Sequence, residues 1–208
     1  MAKPRGRARS RSRGRRPGFR SPRPRLLVLC EGARTEPNYF GALRQELGLS
    51  GVKVDGPATL KEMPEKIRKS WKDDFDEVWC VFDVDERDGE VRRLRTELNR
   101  LRRKTKKGVH AAVSAPCFEY WLLLHFAFTT KTFYGMEGGR SACQQVIQRL
   151  QDHLPGYKKN DAAVYDRCRA QLADALQRAR RLDPEQPNPT TEVGKLVERL
   201  QGLRSSLT

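Results

Sequence analysis

The sequence predicts an α/β domain, a small parallel sheet flanked by helices, with a helical C-terminal part. Three observations predict it. Apolar runs of strand length at 26–30 (LLVLC) and 78–82 (VWCVF) are each stopped abruptly by acids. Segments with helical apolar spacing separate them, and after residue 126 only helix-like patterns with loops remain.

The elements follow in order. Leu26–Cys30 reads as a strand buried on both faces, ended by Glu31-Gly32. Pro37 then stands near the start of a helix carrying Tyr39, Phe40, Leu43 and Leu47 and closing near Gly48. A short strand is expected at 52–54 and a helix from about Met63 to Lys72. The second core strand, 78–82, runs into Asp83-Val84-Asp85-Glu86. Residues 88–107 form a basic helix with Val91, Leu94, Leu98 and Leu101 on one side, and 109–114 a third core strand. The string CFEYWLLLHF from Cys117 is too rich in large apolar groups to be exposed and reads as a buried helix. Helices are expected over about 139–153, 162–182 and 192–203, the last capped from Asn188-Pro189-Thr190.

A length of 208 residues suits one domain with a small appendage. Of the formal net charge of +16, most lies in residues 1–25, which hold eleven Lys or Arg and no acid. The remainder has 31 basic against 26 acidic residues, or +5. Residues 1–25 are therefore expected to be a disordered basic arm, able to hold nucleic-acid phosphates through counterion release. A merely solubilising extension is the alternative. The five cysteines show no CxxC spacing, and Cys30 and Cys80 lie in apolar runs as small buried hydrophobes. A reducing cytoplasm is the expected setting. The start lacks the apolar stretch of a signal peptide, and no run is long enough to span a bilayer.

The chemistry concentrates at the strand ends. In open parallel sheets ligands collect outside the carboxyl ends of strands. Glu31 follows the first strand; Asp83 and Asp85 follow another, and two residues apart on an extended segment they would face the same way. Crowded carboxylates repel unless a cation intervenes, and an oxygen-only set favours Mg²⁺ or Mn²⁺ over zinc. Glu31, Asp83 and Asp85 are thus the candidate metal ligands. Glu36, near the favourable dipole end of the following helix, is a fourth candidate acid. Gly32 would let the chain turn and leave room for a phosphate. Arg34 and Arg87, on the same loops, could contact phosphate oxygens. Strand- and helix-capping acids are the plain alternative, because a bare DxD is common.

Four stretches, LLVLCEGARTEPNYF, VWCVFDVDE, SAPCFEYWLLLHF and NPTT, together resemble the RloB-like proteins. The resemblance runs from about 26 to 203. It implies a Toprim-like (Rossmann-like) fold, similar to that of primases, topoisomerases, ribonuclease M5 and overcoming-lysogenization-defect nucleases. It also implies a first strand ending in the site glutamate (Glu31), a third ending in DxD (Asp83, Asp85), and Glu36 as the second acid of EGxxTE. Members of the family are presumed nucleases encoded near restriction or phage-defence genes, often beside an ATPase partner. The wider fold also uses a late basic residue; Lys158 and Lys159 are the candidates, with Lys158 assigned to the site.

Three further features stand out. Glu119 is an expensive carboxylate inside an apolar helix, so it either joins the site or pairs with a base. His125, without a ligand-spaced companion, reads as a satisfied core histidine. The basic helix, with Arg92 and Arg95 among its many cations, could track a nucleic-acid backbone or be simply solvated. The expected organisation is a basic arm (1–25), a Toprim-like core (26–126) and a helical extension packed on it (127–208). The function expected is Mg²⁺- or Mn²⁺-dependent hydrolysis of DNA or RNA in a phage-defence setting. A non-catalytic nucleic-acid-binding or effector module and a phosphoryl- or nucleotidyl-transfer enzyme remain as alternatives.

Overall fold

The computed structural model describes residues 24–205 except Glu86, Lys106 and Pro184. The expected basic arm thus lies outside the described residues up to residue 23. Its last member does not behave as an arm. Arg25 donates its backbone N–H to Asp76 Oδ2 at 2.8 Å, and its guanidinium lies 5.0 Å from the centre of the Phe75 ring.

Strand β1 (Leu26–Cys30), helix α1 (Thr35–Glu46), β2 (Val52–Asp55), α2 (Met63–Ser70), β3 (Glu77–Asp83), α3 (Asp88–Thr105) and β4 (Gly108–Ala115) alternate as the apolar pattern predicts. The short α4 (Glu119–Leu124) follows, then α5 (Ala142–His153), α6 (Val164–Cys168), α7 (Leu172–Arg180), β5 (Thr190–Thr191) and α8 (Val193–Ser205). The sheet order is β2-β1-β3-β4-β5, with β1 to β4 parallel and β5 antiparallel to β4. This small mixed sheet with flanking helices and a helical C-terminal region is a Toprim-like, Rossmann-like fold.

Side chains alternate across a strand, so a strand covered on both faces must be apolar throughout. Leu27, Leu29, Val78, Cys80 and Phe82 pack on one face against α2 and α3, where all four expected apolar residues of α3 are buried. Leu26, Val28, Cys30, Trp79 and Val81 pack on the other, with Tyr39 and Phe40 of α1 and the whole of α4. The C-terminal helices join that second cluster through Val146, Leu150, Tyr165, Leu176 and Leu196. Apart from Glu119, helix α4 is apolar on every side because it is buried on every side. Tyr39 meets Phe40, Phe118, Trp121 and Tyr165 edge-on, at 5.2–6.4 Å between ring centres. His125 is the satisfied core histidine its isolation predicts. Its ring contacts Tyr39 Oη at 3.3 Å and Trp121 O at 3.1 Å, and burial lowers its pKa to about 4.

Two local expectations are corrected. The segment expected to be only a helix cap supplies β5, pairing Thr190 with Ala115 and Thr191 with Ser114. A two-residue strand carries no periodicity to read. The Thr191 hydroxyl still accepts from the Val193 N–H at 3.2 Å, so capping and pairing share one dipeptide. The single helix expected over 162–182 is broken into α6, a 3₁₀ turn at Arg169–Gln171, and α7. Among the described residues no helix is long and apolar enough to cross a membrane.

Candidate metal centre

The chain goes from β1 through α1 to β2 on one side, then from β2 through α2 back across β1 to β3 on the other. The carboxyl ends of β1 and β3 therefore flank a topological switch point, where the strand order reverses and a crevice opens. Glu31 and Asp83 stand there. The Glu31 N–H donates to Val81 O at 2.9 Å, and the Asp83 N–H donates to Glu31 Oε2 at 3.2 Å. The two acids are fastened to each other through the sheet.

A cavity of about 470 Å³ opens above them. Glu31, Glu36, Asp83, Asp85 and Glu119 all line it, with Arg34, Arg87 and Lys159. Every acid singled out from the sequence reaches this one space. Asp83 Oδ1 is sealed from solvent without a hydrogen-bond partner. Burial pushes the Asp83 carboxyl well up from its ordinary pKa, and the nearby Glu36 and Glu119 charges push it further. Glu36, on the first turn of α1 and buried, is also raised, chiefly by burial and then by Glu119 and Glu31 against its backbone hydrogen bond and Lys159. An orphaned buried oxygen among raised carboxyls is what a cation-binding pocket looks like without its cation. Asp83 and Glu36 meet this test, and Glu31 and Asp85 line the same cavity.

The details differ from the expectations in four ways. Strand β3 ends at Asp83, and Asp85 is exposed in a turn with φ 33°, so the two aspartates do not share an extended face. The turn follows because the chain stays tied to β4, with the Val84 N–H on Ser114 O at 2.9 Å and the Asp85 N–H on Pro116 O at 3.1 Å. Arg87 does not stand free for phosphate. Its Nη1 donates to Glu31 Oε1 at 2.6 Å and its Nη2 to Glu31 Oε2 at 3.2 Å. The space beside Gly32 is filled by the Glu36 carboxylate, which a Cβ at residue 32 would overlap. Gly32 thus makes room for an acid of the protein.

The fourth difference concerns the late lysine. Lys158 is exposed and does not line the cavity, whereas Lys159 does, its Nζ 3.7 Å from Glu119 Oε2. The turn bearing it is held by the Asn160 N–H on Thr35 Oγ1 at 3.3 Å, with Asn160 at φ 82°. Which of two adjacent lysines turns inward depends on that contact with α1, and the sequence carries no sign of it. Arg34 is exposed on the rim. Arg92 and Arg95 lie on α3 away from the cavity, and Arg95 is engaged by Glu192 at 2.7 Å.

Glu119 is buried at the start of α4. Tyr157 Oη donates to its Oε1 at 3.1 Å, and Cys143 Sγ lies 3.5 Å from its Oε2. Among the described residues, the trio of ligand atoms lying within 4.8 Å of one another is Cys117, Glu119 and Cys143, a set that could hold a metal ion. It differs from the all-carboxylate set expected, and its two sulfurs are joined in a disulfide. Glu31, Asp83 and Asp85 are not drawn in to that spacing, because Arg87 occupies Glu31 and the turn displaces Asp85. The disulfide had no signature in the sequence: its cysteines are 26 residues apart, and burial of Cys30 and Cys80 is the only part that the apolar runs foretold.

Fold and cavity together define a Toprim-like α/β protein with an acidic pocket at its switch point. The chain belongs to the RloB-like family, whose model, described as RloB-like protein, matches residues 26–200. No curated protein and no solved structure matches it. Family and metal-ligating groups support a nuclease-like role in general terms.

Proposed function

We propose that this protein is a divalent-metal-dependent nuclease that hydrolyses phosphodiester bonds of DNA or RNA, with bacterial phage defence as its setting. The observation that supports this best is the unpartnered Asp83 Oδ1 in a cavity shared with Glu31, Glu36, Asp85 and Glu119.

In this reading Glu31, Asp83 and Asp85 hold Mg²⁺ or Mn²⁺, with Glu36 as the fourth acid. The bound ion would supply an activated water and a counter-charge for the departing oxygen. Arg87 fixes the orientation of Glu31 through its two-pronged contact and leaves that carboxylate less negative. Lys159 offsets the buried charge of Glu119 and presents an ammonium toward the cavity, where a phosphate oxygen would meet it. Arg34 on the exposed rim is suited to a flanking phosphate. Arg92 and Arg95 are too far round the molecule for the scissile phosphate and would serve only a longer nucleic acid.

The test is cleavage of labelled single- and double-stranded DNA and RNA with Mg²⁺ or Mn²⁺, alone and with the ATPase partner that the family resemblance implies. Metal-dependent cutting that is lost in Asp83→Asn with the fold retained is the expected result. Absence of cutting under every condition, or cutting unaffected by Asp83→Asn, overturns the proposal. Nucleotide incorporation from labelled triphosphates would favour the transferase alternative instead.

A further inference from the structure

Beside the carboxylate cavity lies a second group of metal-ligating atoms, in a state that cannot bind a metal. Cys117, on the loop between β4 and α4, is joined to Cys143 in the first turn of α5. Both are buried. Their sulfurs and a Glu119 oxygen lie within 4.8 Å of one another. Cys30, Cys80 and Cys168 are free and buried.

We propose that Cys117, Cys143 and Glu119 form a redox-gated site for a thiophilic divalent metal of the Zn²⁺ class, closed by the disulfide and opened by its reduction. Two electrons and two protons from a dithiol convert the S–S bond into two thiols, and the dithiol leaves as its own disulfide. Zn²⁺ then displaces both thiol protons into solvent and accepts one Glu119 oxygen. Reoxidation by a diazene oxidant such as diamide, itself reduced to the hydrazine, restores the S–S bond and expels the metal.

The geometry supports the step. Zinc–sulfur bonds of about 2.3 Å and zinc–oxygen bonds of about 2.0–2.2 Å put tetrahedral ligand atoms about 3.5–3.8 Å apart. Once the S–S bond is cut the two sulfurs must part to that spacing, while Cys143 Sγ, 3.5 Å from Glu119 Oε2, already stands at it. Two thiolates and a carboxylate around a dication leave one negative charge, and Lys159 Nζ already stands 3.7 Å from Glu119. The Tyr157 hydroxyl donates to the other Glu119 oxygen at 3.1 Å and orients that carboxylate. Thiolates select such an ion over Mg²⁺ or Mn²⁺.

The consequence for the main cavity rests on the nuclease reading above. Glu119 lines both places, so a dication captured by the sulfurs would sit beside Asp83 and Glu36 and weaken a hard cation there. Reduction in the presence of zinc would then restrain the enzyme, and oxidation would release it.

The experiment uses full-length protein and Co²⁺ as a visible probe. Samples are reduced with dithiothreitol or oxidised with diamide, freed of reagent without air, and titrated. Reduced protein is expected to bind about one equivalent with a sulfur-to-cobalt charge-transfer band, a site of three protein ligands with one open corner. Oxidised protein is expected to show no band and, denatured, three thiols instead of five. Cys143→Ser should abolish the band, and Asp83→Asn should keep it. A reduced protein without the band, an oxidised protein with it, or five thiols after diamide overturns the proposal. The oxidised-against-reduced comparison needs no variant, so a misfolded Cys143→Ser does not blunt it. Loss of the nuclease reading, seen as no Asp83-dependent Mn²⁺ binding, would leave the cobalt result standing.

Discussion

Replacing Asp83 by Asn should stabilise the metal-free protein while removing its metal response. Asp83 Oδ1 is sealed without a partner, and the carboxyl is pushed up by burial and by Glu36 and Glu119. A buried, unsatisfied polar group costs about 1–3 kcal/mol, more if charged. Asn keeps the shape, carries no charge, and offers an amide N–H to the neighbouring acids. A gain of about 1–2 kcal/mol is expected, and for a chain of this length that is a Tm rise of about 2–8 °C. The sign of the pH dependence follows from the raised folded-state pKa. The folded wild type holds this proton after the unfolded chain has released it. Stability is therefore lost as pH rises from the ordinary aspartate value, about 3.9, up through the folded value. The advantage of the variant should open with rising pH and close in acid. Thermal unfolding by circular dichroism in EDTA, from pH 4.5 to 8, reads it directly. Adding Mn²⁺ at a hundredfold excess over Kd should stabilise the wild type by about 2.7 kcal/mol and leave Asp83→Asn unmoved. A variant less stable than wild type in EDTA at pH 8, or equal stabilisation of both by Mn²⁺, would refute this reasoning.

Gly32→Ala should cut metal-dependent cleavage roughly tenfold or more with little loss of Tm, because the new methyl meets only the flexible end of Glu36 and turns that acid out of the pocket. Measuring kcat and Tm on one preparation checks it, and unchanged kcat would show that Glu36 has no part. Lys159→Ala should lower kcat by about a hundredfold while Lys158→Ala stays within roughly twofold, since only Lys159 lines the cavity. His125, with a pKa of about 4, stays neutral in the fold, so stability present above about pH 6.5 should fall by about 2–4 kcal/mol as the pH drops toward 4. Urea unfolding against pH, with His125→Gln flattening that slope, checks this.

Much of the fold was legible because strands buried on both faces must be continuously apolar, and 26–30 and 78–82 are. Four of the cavity acids were legible for a related reason: charge just after such a strand (Glu31, Asp83, Asp85), or inside an enclosed helix as with Glu119, has few tolerable explanations. Glu36 was legible from its place at the start of a helix and from the family resemblance. What sequence could not carry was long-range pairing. Arg87 reaches Glu31 across 56 positions, Cys143 reaches Cys117 across 26, and Lys159 is chosen over Lys158 by a turn that leans on Thr35. The extended DxD geometry failed because β3 stops at Asp83 while the chain remains hydrogen-bonded along β4. β5 escaped notice because two residues have no period.

The most direct test of the central claim is anomalous diffraction from crystals of the full-length protein equilibrated with Mn²⁺. The account predicts a peak at Mg²⁺-like bonding distance, about 2.0–2.3 Å, from Asp83 Oδ1 and from a Glu31 oxygen, with Asp85 or Glu36 completing the set. A peak only at the cysteine pair and Glu119, or none anywhere in the cavity at saturating Mn²⁺, would contradict it.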